Sequence, residues 1–256
     1  MVAGARDEPA RVPRRALPGG AVTFVFTDIE GSTRLVKALR DRYAQVLAGH
    51  RRLVRAAIAA HDGHEVDTQG DTFFAAFASA RQAVLCALAV QRSLAGADWP
   101  GGAQVRVRIG VHTGQATPAG GGYTGLAVHR AARICAAAAG GQVLVSQPTR
   151  DLIEDEEEGP GLGFALIDGG EHRLKDLDRP VRLFQLAAAG LEPTPPRAGQ
   201  LAAGGSAAGG VHGFPAVLTS FIGRAGPGRE VAGLLERGGG RAGRRARRRC
   251  RRGAAR

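Results

Sequence analysis

Apolar and polar residues change their spacing several times along the chain, and each change predicts a new element. Residues 21–28 are mostly apolar and rich in β-forming side chains, which predicts a buried, central strand. Over residues 35–58 the apolar positions instead recur every three or four residues, which predicts one amphipathic helix capped by Ser32 or Thr33. The domain is therefore expected to begin with a strand followed by a long helix.

The rest of the sequence also contains both strand-type and helix-type spacing of apolar residues. A Gln69-Gly70 turn divides two β-type runs and predicts a hairpin, and Ser79 is placed to cap the helix that follows. Beyond it we predict a strand at 105–114, a flexible loop at 117–125, a helix at about 126–138, a strand at 142–146 and two short strands within 164–186. Hairpins among interleaved strands and helices predict an α/β (α+β) sandwich. Its sheet should be mixed and mostly antiparallel, with the helices on one face.

Composition divides the chain into three parts. Residues 1–19 lack periodicity and are rich in Pro and Gly, so we expect a disordered leader. Residues 20–187 hold all the predicted strands and helices of the sandwich and form the expected domain. Residues 188–256 shift to Ala, Gly and Pro and end in an Arg-Gly-Ala tail, which we interpret as a linker followed by a truncated or out-of-frame end.

Positive charge is concentrated in the tail. The net charge is +12, but residues 237–256 hold ten arginines and no acidic residue, which leaves +2 for the preceding 236 residues. A body this close to neutral does not support a general nucleic-acid surface. There is no apolar run of the roughly 20 residues that a membrane span needs and no secretory signal, and the three scattered cysteines fit a reducing compartment. We expect a cytoplasmic protein with no membrane partner and no specific nucleic-acid partner.

Two aspartates stand where carboxylates can reach a bound ion. Asp28 ends the first predicted strand, and the backbone N–H groups that open the next helix can face a phosphate. Asp71 lies at the tip of the predicted hairpin. Neighbouring carboxylates can hold two Mg²⁺ or Mn²⁺ ions about 3.5–4 Å apart. Taken singly, each aspartate is explained better as a helix cap or a turn residue, so spacing alone does not establish a metal site.

Five sequence blocks decide between these interpretations. In chain order they are FTDIEGST, EVDTQGDTFFAAF, VRVRIGVHTG, GLAVHRAARICAAAAGGQVLVS and HRLKDLDRPVRLFQL. Together they resemble class III adenylate/guanylate cyclase catalytic domains, in particular actinobacterial members that are fused to regulatory ATPase modules. The resemblance covers about residues 20–187. It implies a ferredoxin-like class III cyclase fold that acts as a homodimer, with its active sites at the subunit interface.

The resemblance also implies a role for individual positions. Asp28, Asp71 and the backbone carbonyl of Ile29 match the family's ligands for two divalent cations, Mg²⁺ or Mn²⁺. Arg133 matches the arginine that stabilises charge at the α-phosphate, and Lys175 matches a triphosphate-binding lysine. Lys175 is one of only two lysines among 35 basic residues, which weighs against a chance surface charge. The substrate would also contact the loop of Gly31, Ser32 and Thr33.

Two positions depart from the family pattern. Asp67 stands where many adenylate cyclases carry a lysine that reads adenine, so the charge is reversed. His129 stands where many members carry an asparagine that orients the ribose. Imidazole can donate one hydrogen bond as asparagine does, but with a different reach and a titratable ring. These changes affect base selectivity and rate, and they leave the metal and phosphate positions intact.

Two functions from different classes remain open on this evidence. The first is an enzyme, a phosphorus–oxygen lyase of intracellular signal transduction that forms a 3′,5′-cyclic nucleotide and pyrophosphate, with ATP favoured over GTP. The second is a catalytically degenerate module that binds nucleotide or dimerises to control an attached ATPase or transcription regulator. Asp67 and His129 favour the second, whereas the complete set of metal and phosphate residues favours the first. A nucleic-acid-binding function rests on the tail alone and ranks last.

Overall fold

The computed structural model of this chain describes residues 16–155 and 163–191. Most of the expected leader and nearly all of the expected linker and tail therefore lie outside the described residues. Within the described ranges no helix is both long and apolar enough to cross a bilayer. The strands are β1 (Gly20–Ile29), β2 (His64–Gln69), β3 (Thr72–Phe77), β4 (Val107–Ala116), β5 (Pro118–Ala119), β6 (Gly122–Tyr123), β7 (Val143–Ser146), β8 (Ala165–His172) and β9 (Val181–Ala187). The α-helices are α1 (Ser32–Leu39), α2 (Tyr43–Ala60), α3 (Ala80–Ala95), α4 (Leu126–Ala137) and α5 (Gln147–Asp155).

Seven of these strands form one sheet in the order β2-β3-β1-β4-β7-β9-β8. The pairing of β4 with β7 is parallel, and the other neighbouring pairs are antiparallel. This confirms the predicted mixed, mostly antiparallel sheet. The first strand lies inside the sheet between β3 and β4, as its continuous apolar run predicts.

Helices cover both faces of the sheet, so the prediction of helices on one face was wrong. Val25 and Ile29 of β1 point to the face that packs against α2, α3 and α5. Phe24 and Phe26 alternate with them and point to the opposite face, which α4 covers. A strand that is buried on both faces is apolar at every position, and such a run does not reveal how the helices are divided between the faces.

Glycines on β4 bring α4 unusually close to the sheet. A Cβ placed on Gly110 would lie 2.2 Å from the backbone nitrogen of Cys135, and one on Gly114 would lie 2.7 Å from the Cβ of Ala127. Any larger residue at Gly110 would push the helix backbone away from the strand. The two contacts also show that α4 runs antiparallel to β4, so its C-terminal half lies over the beginning of that strand.

The first helical segment is interrupted rather than continuous. Helix α1 ends at Leu39, a 3₁₀ turn spans Arg40–Arg42, and α2 then begins at Tyr43. Both helices pack on the same core, so the three- and four-residue spacing of apolar residues continues across the break. For this reason the sequence predicted one helix.

The predicted helix caps had different outcomes. The N-cap of α1 is Gly31 in a left-handed conformation with φ 68°, and no side chain caps the helix, so the assignment of Ser32 or Thr33 was wrong. The Ser79 cap of α3 is confirmed, since its hydroxyl accepts a hydrogen bond from the backbone N–H of Gln82 at 3.3 Å.

The segment predicted as a flexible loop contains the short β5–β6 hairpin. Tyr123 of β6 is fully buried, and its ring packs edge-on against Phe24 with a centroid distance of 5.0 Å. Its hydroxyl donates a hydrogen bond to the carbonyl of Pro18. One aromatic side chain therefore anchors a glycine-rich stretch that looked unstructured in the sequence.

Candidate functional site

Asp28 lies at the end of β1, and hydrogen bonds engage both of its carboxylate oxygens. The hydroxyl of Thr72 donates to Oδ1 at 3.1 Å. The guanidinium of Arg108 donates to Oδ2 from Nε at 2.8 Å and also from Nη2. The side chains of Asp28 and Arg108 are only 13% and 22% exposed. Asp28 is thus held in one orientation by a partly buried ion pair.

Sheet register explains why these side chains meet. Asp28 lies directly opposite Arg108 in the antiparallel pairing of β1 with β4. Thr72 opens β3 on the other side of β1, next to the paired residues Thr27 and Phe73. Directly opposite residues on neighbouring strands have their Cβ atoms about 4.5–5.5 Å apart, so the contact is a consequence of strand pairing.

Asp71 is delivered to the same place by the β2–β3 turn. Gly70 adopts a left-handed conformation with φ 60°, which turns the chain tightly. The backbone N–H of Ile29 donates to Oδ2 of Asp71 at 3.3 Å, and Ser32 is a further hydrogen-bond partner. Burial raises the pKa of the Asp71 carboxyl above its ordinary value, and the negative charge of Asp28 raises it further.

The two carboxylates suit a hard divalent cation. They lie near each other in a partly buried place, where their mutual repulsion already disfavours the charged form of Asp71. Oxygen donors are the ligands that Mg²⁺ and Mn²⁺ prefer. Among residues 16–155 and 163–191, no group of three or more His, Cys, Asp and Glu side chains could hold a metal ion. Any ion held here would therefore take its further ligands from backbone, substrate or water oxygens.

Arg108 is a cation that the protein itself already provides at this place. Burial works against its charge, but the Asp28 carboxylate outweighs this and raises the pKa of the guanidinium. Both contacts fall on Oδ2, while Oδ1 accepts from Thr72. A metal ion that took Oδ2 would have to displace Arg108. We call Asp28, Asp71, Thr72 and Arg108 the aspartate cluster.

The loop predicted to face phosphate lies beside this cluster. Gly31 and Ser32 are half-buried, Thr33 is exposed, and the three residues form the start of α1. Because Ser32 also bonds Asp71, the first turn of α1 is tied to the hairpin tip. The N–H groups of a first helical turn lack partners within the helix, and they favour anions.

The predicted phosphate-binding residues lie on other elements. Arg133 is on α4, where its Nη2 forms an ion pair with the Asp176 carboxylate. Lys175 precedes Asp176 in the turn between β8 and β9 and is exposed. His129 is exposed one helical turn before Arg133. We call Arg133, Lys175 and Asp176 the arginine–lysine cluster.

Asp67, at the predicted base-reading position, lies on β2 and is half-buried. One of its oxygens accepts from the backbone N–H of Thr68 at 2.8 Å, and the other accepts from the side-chain amide of Gln69 at 3.0 Å. The carboxylate is therefore engaged by its own strand. It keeps spare acceptor capacity, because each carboxylate oxygen has two lone pairs.

A single chain brings only part of the predicted set together. Asp28, Asp71, Ile29 and Ser32 are joined by the contacts above. In the described part of the chain, no hydrogen bond or ion pair links Asp28 or Asp71 to Arg133 or Lys175. Within the described residues the aspartate cluster and the arginine–lysine cluster are therefore not joined by a hydrogen bond or an ion pair.

Three residues with contacts at these clusters were missed by the sequence interpretation. Thr72 and Arg108 contact Asp28, and Asp176 contacts Arg133. Arg108 carried no distinctive signal, because it and Arg106 alternate with apolar residues as expected of a half-buried strand. Pairing it with Asp28 requires the strand register, which spacing within one segment does not contain.

This chain is similar in sequence to proteins of one family. The sequence profile of the family described as adenylate and guanylate cyclase catalytic domain matches residues 16–184. An uncharacterised protein of Mycobacterium tuberculosis is 33% identical over 227 residues, which cover 88% of this chain and 73% of that protein. The adenylate cyclase of Podospora anserina is 28% identical over 221 residues, and the match covers 66% of this chain but only 10% of that much longer protein.

Solved structures share the fold. A monomeric adenylate cyclase domain from Trypanosoma brucei superposes with a TM-score of 0.60 at 28% identity, over 72% of this chain and 94% of that one. The adenylyl cyclase CyaB from P. aeruginosa superposes with a TM-score of 0.54 at 23% identity, over 66% of this chain and 94% of that one, and at this identity the likeness shows the fold alone. Because the family profile spans well over half of the sequence and the sheet carrying Asp28 and Asp71 has the family's architecture, this chain belongs to the adenylate and guanylate cyclase catalytic-domain family.

Proposed function

We propose that this chain is a nucleoside-triphosphate cyclase that forms a 3′,5′-cyclic nucleotide and pyrophosphate in cytoplasmic signal transduction. The family acts on nucleoside triphosphates, commonly forms dimers and generally depends on divalent metal ions. The observation that carries the proposal is the placement of Asp28 and Asp71 side by side at the end of the central strands, beside the open first turn of α1.

The aspartate cluster would hold the metal ions and the phosphates. Asp28, Asp71 and the carbonyl of Ile29 would be the ligands of two divalent cations, Mg²⁺ or Mn²⁺. When bound, such ions make a ribose hydroxyl more acidic and neutralise the triphosphate. The backbone N–H groups of Gly31, Ser32 and Thr33 would bind phosphate oxygens.

The arginine–lysine cluster would act on substrate that is held by a second copy of the chain. Each chain carries both clusters, and among the residues that the structure describes no hydrogen bond or ion pair joins Arg133 or Lys175 to Asp28 or Asp71. A homodimer with sites at the interface would bring the clusters of different subunits together. Arg133 would stabilise charge at the α-phosphate, Lys175 would neutralise the triphosphate, and His129 would orient the ribose.

We propose ATP as the substrate, and GTP as the competitor to be tested beside it. Several relatives and structural neighbours at 28–33% identity are named adenylate cyclases. The Asp67 carboxylate argues in the other direction, because guanine offers it an N–H and an amino group whereas adenine offers only an amino group.

Residues 20–187 are proposed to form the complete catalytic unit, and residues 188–256 are assigned no catalytic role. Removal of residues 192–256 should leave turnover and thermal stability close to those of the full chain. Loss of either would show that the C-terminal residues belong to the working enzyme.

The direct test uses the full chain, purified and assayed at high protein concentration. With Mn²⁺ or Mg²⁺ and ATP or GTP, cyclic AMP or cyclic GMP should accumulate together with pyrophosphate. Asp28→Asn should reduce the rate at least a hundredfold, as expected when a metal ligand is lost, to roughly 1% or less. The matched control is Asp41→Asn, an exposed aspartate outside both clusters, which should retain the full rate. No cyclic nucleotide from either purine would exclude the cyclase.

The second candidate function is a degenerate regulatory module, which Asp67 and His129 favour. It predicts saturable nucleotide binding or dimerisation without turnover. The double variant Asp67→Lys with His129→Asn separates the two functions. If that variant makes cyclic AMP and the natural chain makes no cyclic nucleotide, the natural domain is a regulatory module that has lost its cyclase activity.

A further inference from the structure

The ion pair between Arg133 and Asp176 joins the two elements that carry the proposed phosphate-binding residues. Arg133 lies on α4, and Asp176 follows Lys175 directly in the β8–β9 turn. We propose that Asp176 is a positioning residue, which orients Arg133 and ties the Lys175 turn to α4 before substrate arrives. This inference rests on the proposed function of Arg133.

Apolar contacts hold the turn in register with the helix. Leu174 is buried and Leu177 is partly buried, and both pack into a cluster with Ile134 of α4 and Leu183 of β9. The backbone N–H of Leu177 donates to the carbonyl of Leu174 at 3.2 Å, which closes the turn. Between these two leucines, Lys175 and Asp176 are exposed.

The backbone at the tip of the turn has a conformation that suits the ion pair. Asp176 has φ 61°, a left-handed conformation that few residues other than glycine adopt and that aspartate tolerates better than most. Because Leu174 and Leu177 fix both sides of the turn, the Asp176 carboxylate reaches α4 without further ordering of the backbone. The ion pair therefore adds side-chain orientation to a turn that packing has already placed.

The contact leaves most of the Arg133 guanidinium available. It uses Nη2 alone, whereas Arg108 and Arg182 each engage their carboxylates through both Nε and Nη2. A guanidinium carries five N–H donors in a rigid plane. With one nitrogen held by Asp176, the remaining donors can point at phosphate oxygens in a fixed plane, which suits an arginine that must be aligned before it binds.

Stability does not explain the pair. The Asp176 side chain is 59% exposed and that of Arg133 is 25% exposed. Exposed ion pairs contribute little to folding, since solvent screens them and both side chains lose freedom. Asp176→Asn should therefore leave the melting temperature nearly unchanged, and any effect on turnover would report on alignment.

The kinetic experiment compares Asp176→Asn, Asp176→Glu and the control Asp168→Asn in the full chain. Asp168 forms an exposed ion pair with Arg182 in the same hairpin, away from α4. Asp176→Asn should lower kcat roughly ten- to a hundredfold with KM nearly unchanged, the pattern of a misaligned group that acts in the transition state. Asp176→Glu should recover part of the loss, and Asp168→Asn should behave as the natural chain.

A double-mutant cycle shows whether Asp176 acts through Arg133. In an Arg133→Ala background, Asp176→Asn should have no further effect on kcat. Three results would each overturn the proposal. The first is an equal loss of kcat in both backgrounds, and the second is an unchanged kcat in Asp176→Asn. The third is a higher kcat in Asp176→Asn, which would mean that the carboxylate restrains the arginine.

A second measurement does not depend on turnover. The side-chain Nε–H signal of Arg133, assigned by its disappearance in Arg133→Lys, should show restricted motion in the natural chain and increased motion in Asp176→Asn. If the natural chain makes no cyclic nucleotide, the proposed function fails but this measurement still decides the positioning. Unchanged motion of Arg133 would overturn the inference even in an active enzyme.

Discussion

The aspartate cluster and the arginine–lysine cluster are built in opposite ways. Asp28 and Arg108 are mostly buried between three neighbouring strands, and both oxygens of Asp28 are engaged. Arg133 and Asp176 meet on the outside of a helix and a turn, and Asp176 is more than half exposed. Strand pairing within the sheet forms the aspartate cluster, whereas the arginine–lysine cluster lies at the protein surface.

This difference indicates how the proposed work is divided. A buried pair of carboxylates with one raised pKa favours a cation as a partner, and the sheet fixes where that cation would lie. The half-buried guanidinium of Arg133 and the exposed ammonium group of Lys175 favour an anion that is brought to them. In the proposed homodimer, a substrate that carries both metal ions and phosphates would join the aspartate cluster of one copy to the arginine–lysine cluster of the other.

The largest expected effect is the recovery of cyclase activity when two inactive variants are mixed. Asp28→Asn inactivates the aspartate cluster, and Arg133→Ala inactivates the other cluster, so each homodimer should be inactive. A mixed dimer rebuilds one intact site from the unmutated cluster of each copy. An equimolar mixture that exchanges subunits freely should recover about a quarter of the natural activity, because half of the dimers regain one of two sites. Cyclic-nucleotide assays of the mixture check this, and no recovery would mean that both clusters act within one chain.

A smaller effect is expected from removing the cation that the protein itself provides. Arg108→Met frees Oδ2 of Asp28, so a metal ion no longer has to displace the guanidinium. Binding of Mn²⁺ without nucleotide should tighten roughly tenfold, measured by electron paramagnetic resonance of free Mn²⁺. Arg106→Met is the matched control, because its guanidinium bonds the carbonyl of Gly140 instead of a cluster aspartate. Equal affinities in Arg108→Met and the natural chain would show that Arg108 does not compete with metal.

The smallest expected effect concerns stability and pH. Burial and the charge of Asp28 raise the pKa of Asp71 in the folded protein, so folding is penalised once pH rises above that pKa and is relieved as pH falls through it. In the absence of metal, Asp71→Asn should stabilise the protein slightly at pH 7, and the gain should shrink as the pH falls toward the ordinary pKa of an aspartate. Urea unfolding with a chelator at several pH values measures this. A variant less stable than the natural chain at pH 7 would contradict it.

Local patterns predicted much of this molecule for identifiable reasons. The hairpin around Gly70 and the Ser79 cap were predicted because a turn or a helix cap is determined by a few adjacent residues. The break between α1 and α2 was missed, since both helices use one core and keep one apolar spacing. The β5–β6 hairpin was missed because its stability comes from Tyr123 packing on distant strands.

The sequence by itself predicted most of the strands and helices, and it placed Asp28 near the end of a strand and Asp71 in a hairpin turn, because side-chain periodicity and turn chemistry act over a few residues. Only the tertiary structure decided that Arg108 neutralises Asp28, that α4 covers the face opposite α2 and α3, and that Asp176 holds Arg133. Each of these contacts depends on register and packing between different segments of the chain, where the pattern within one segment carries no information about its partner.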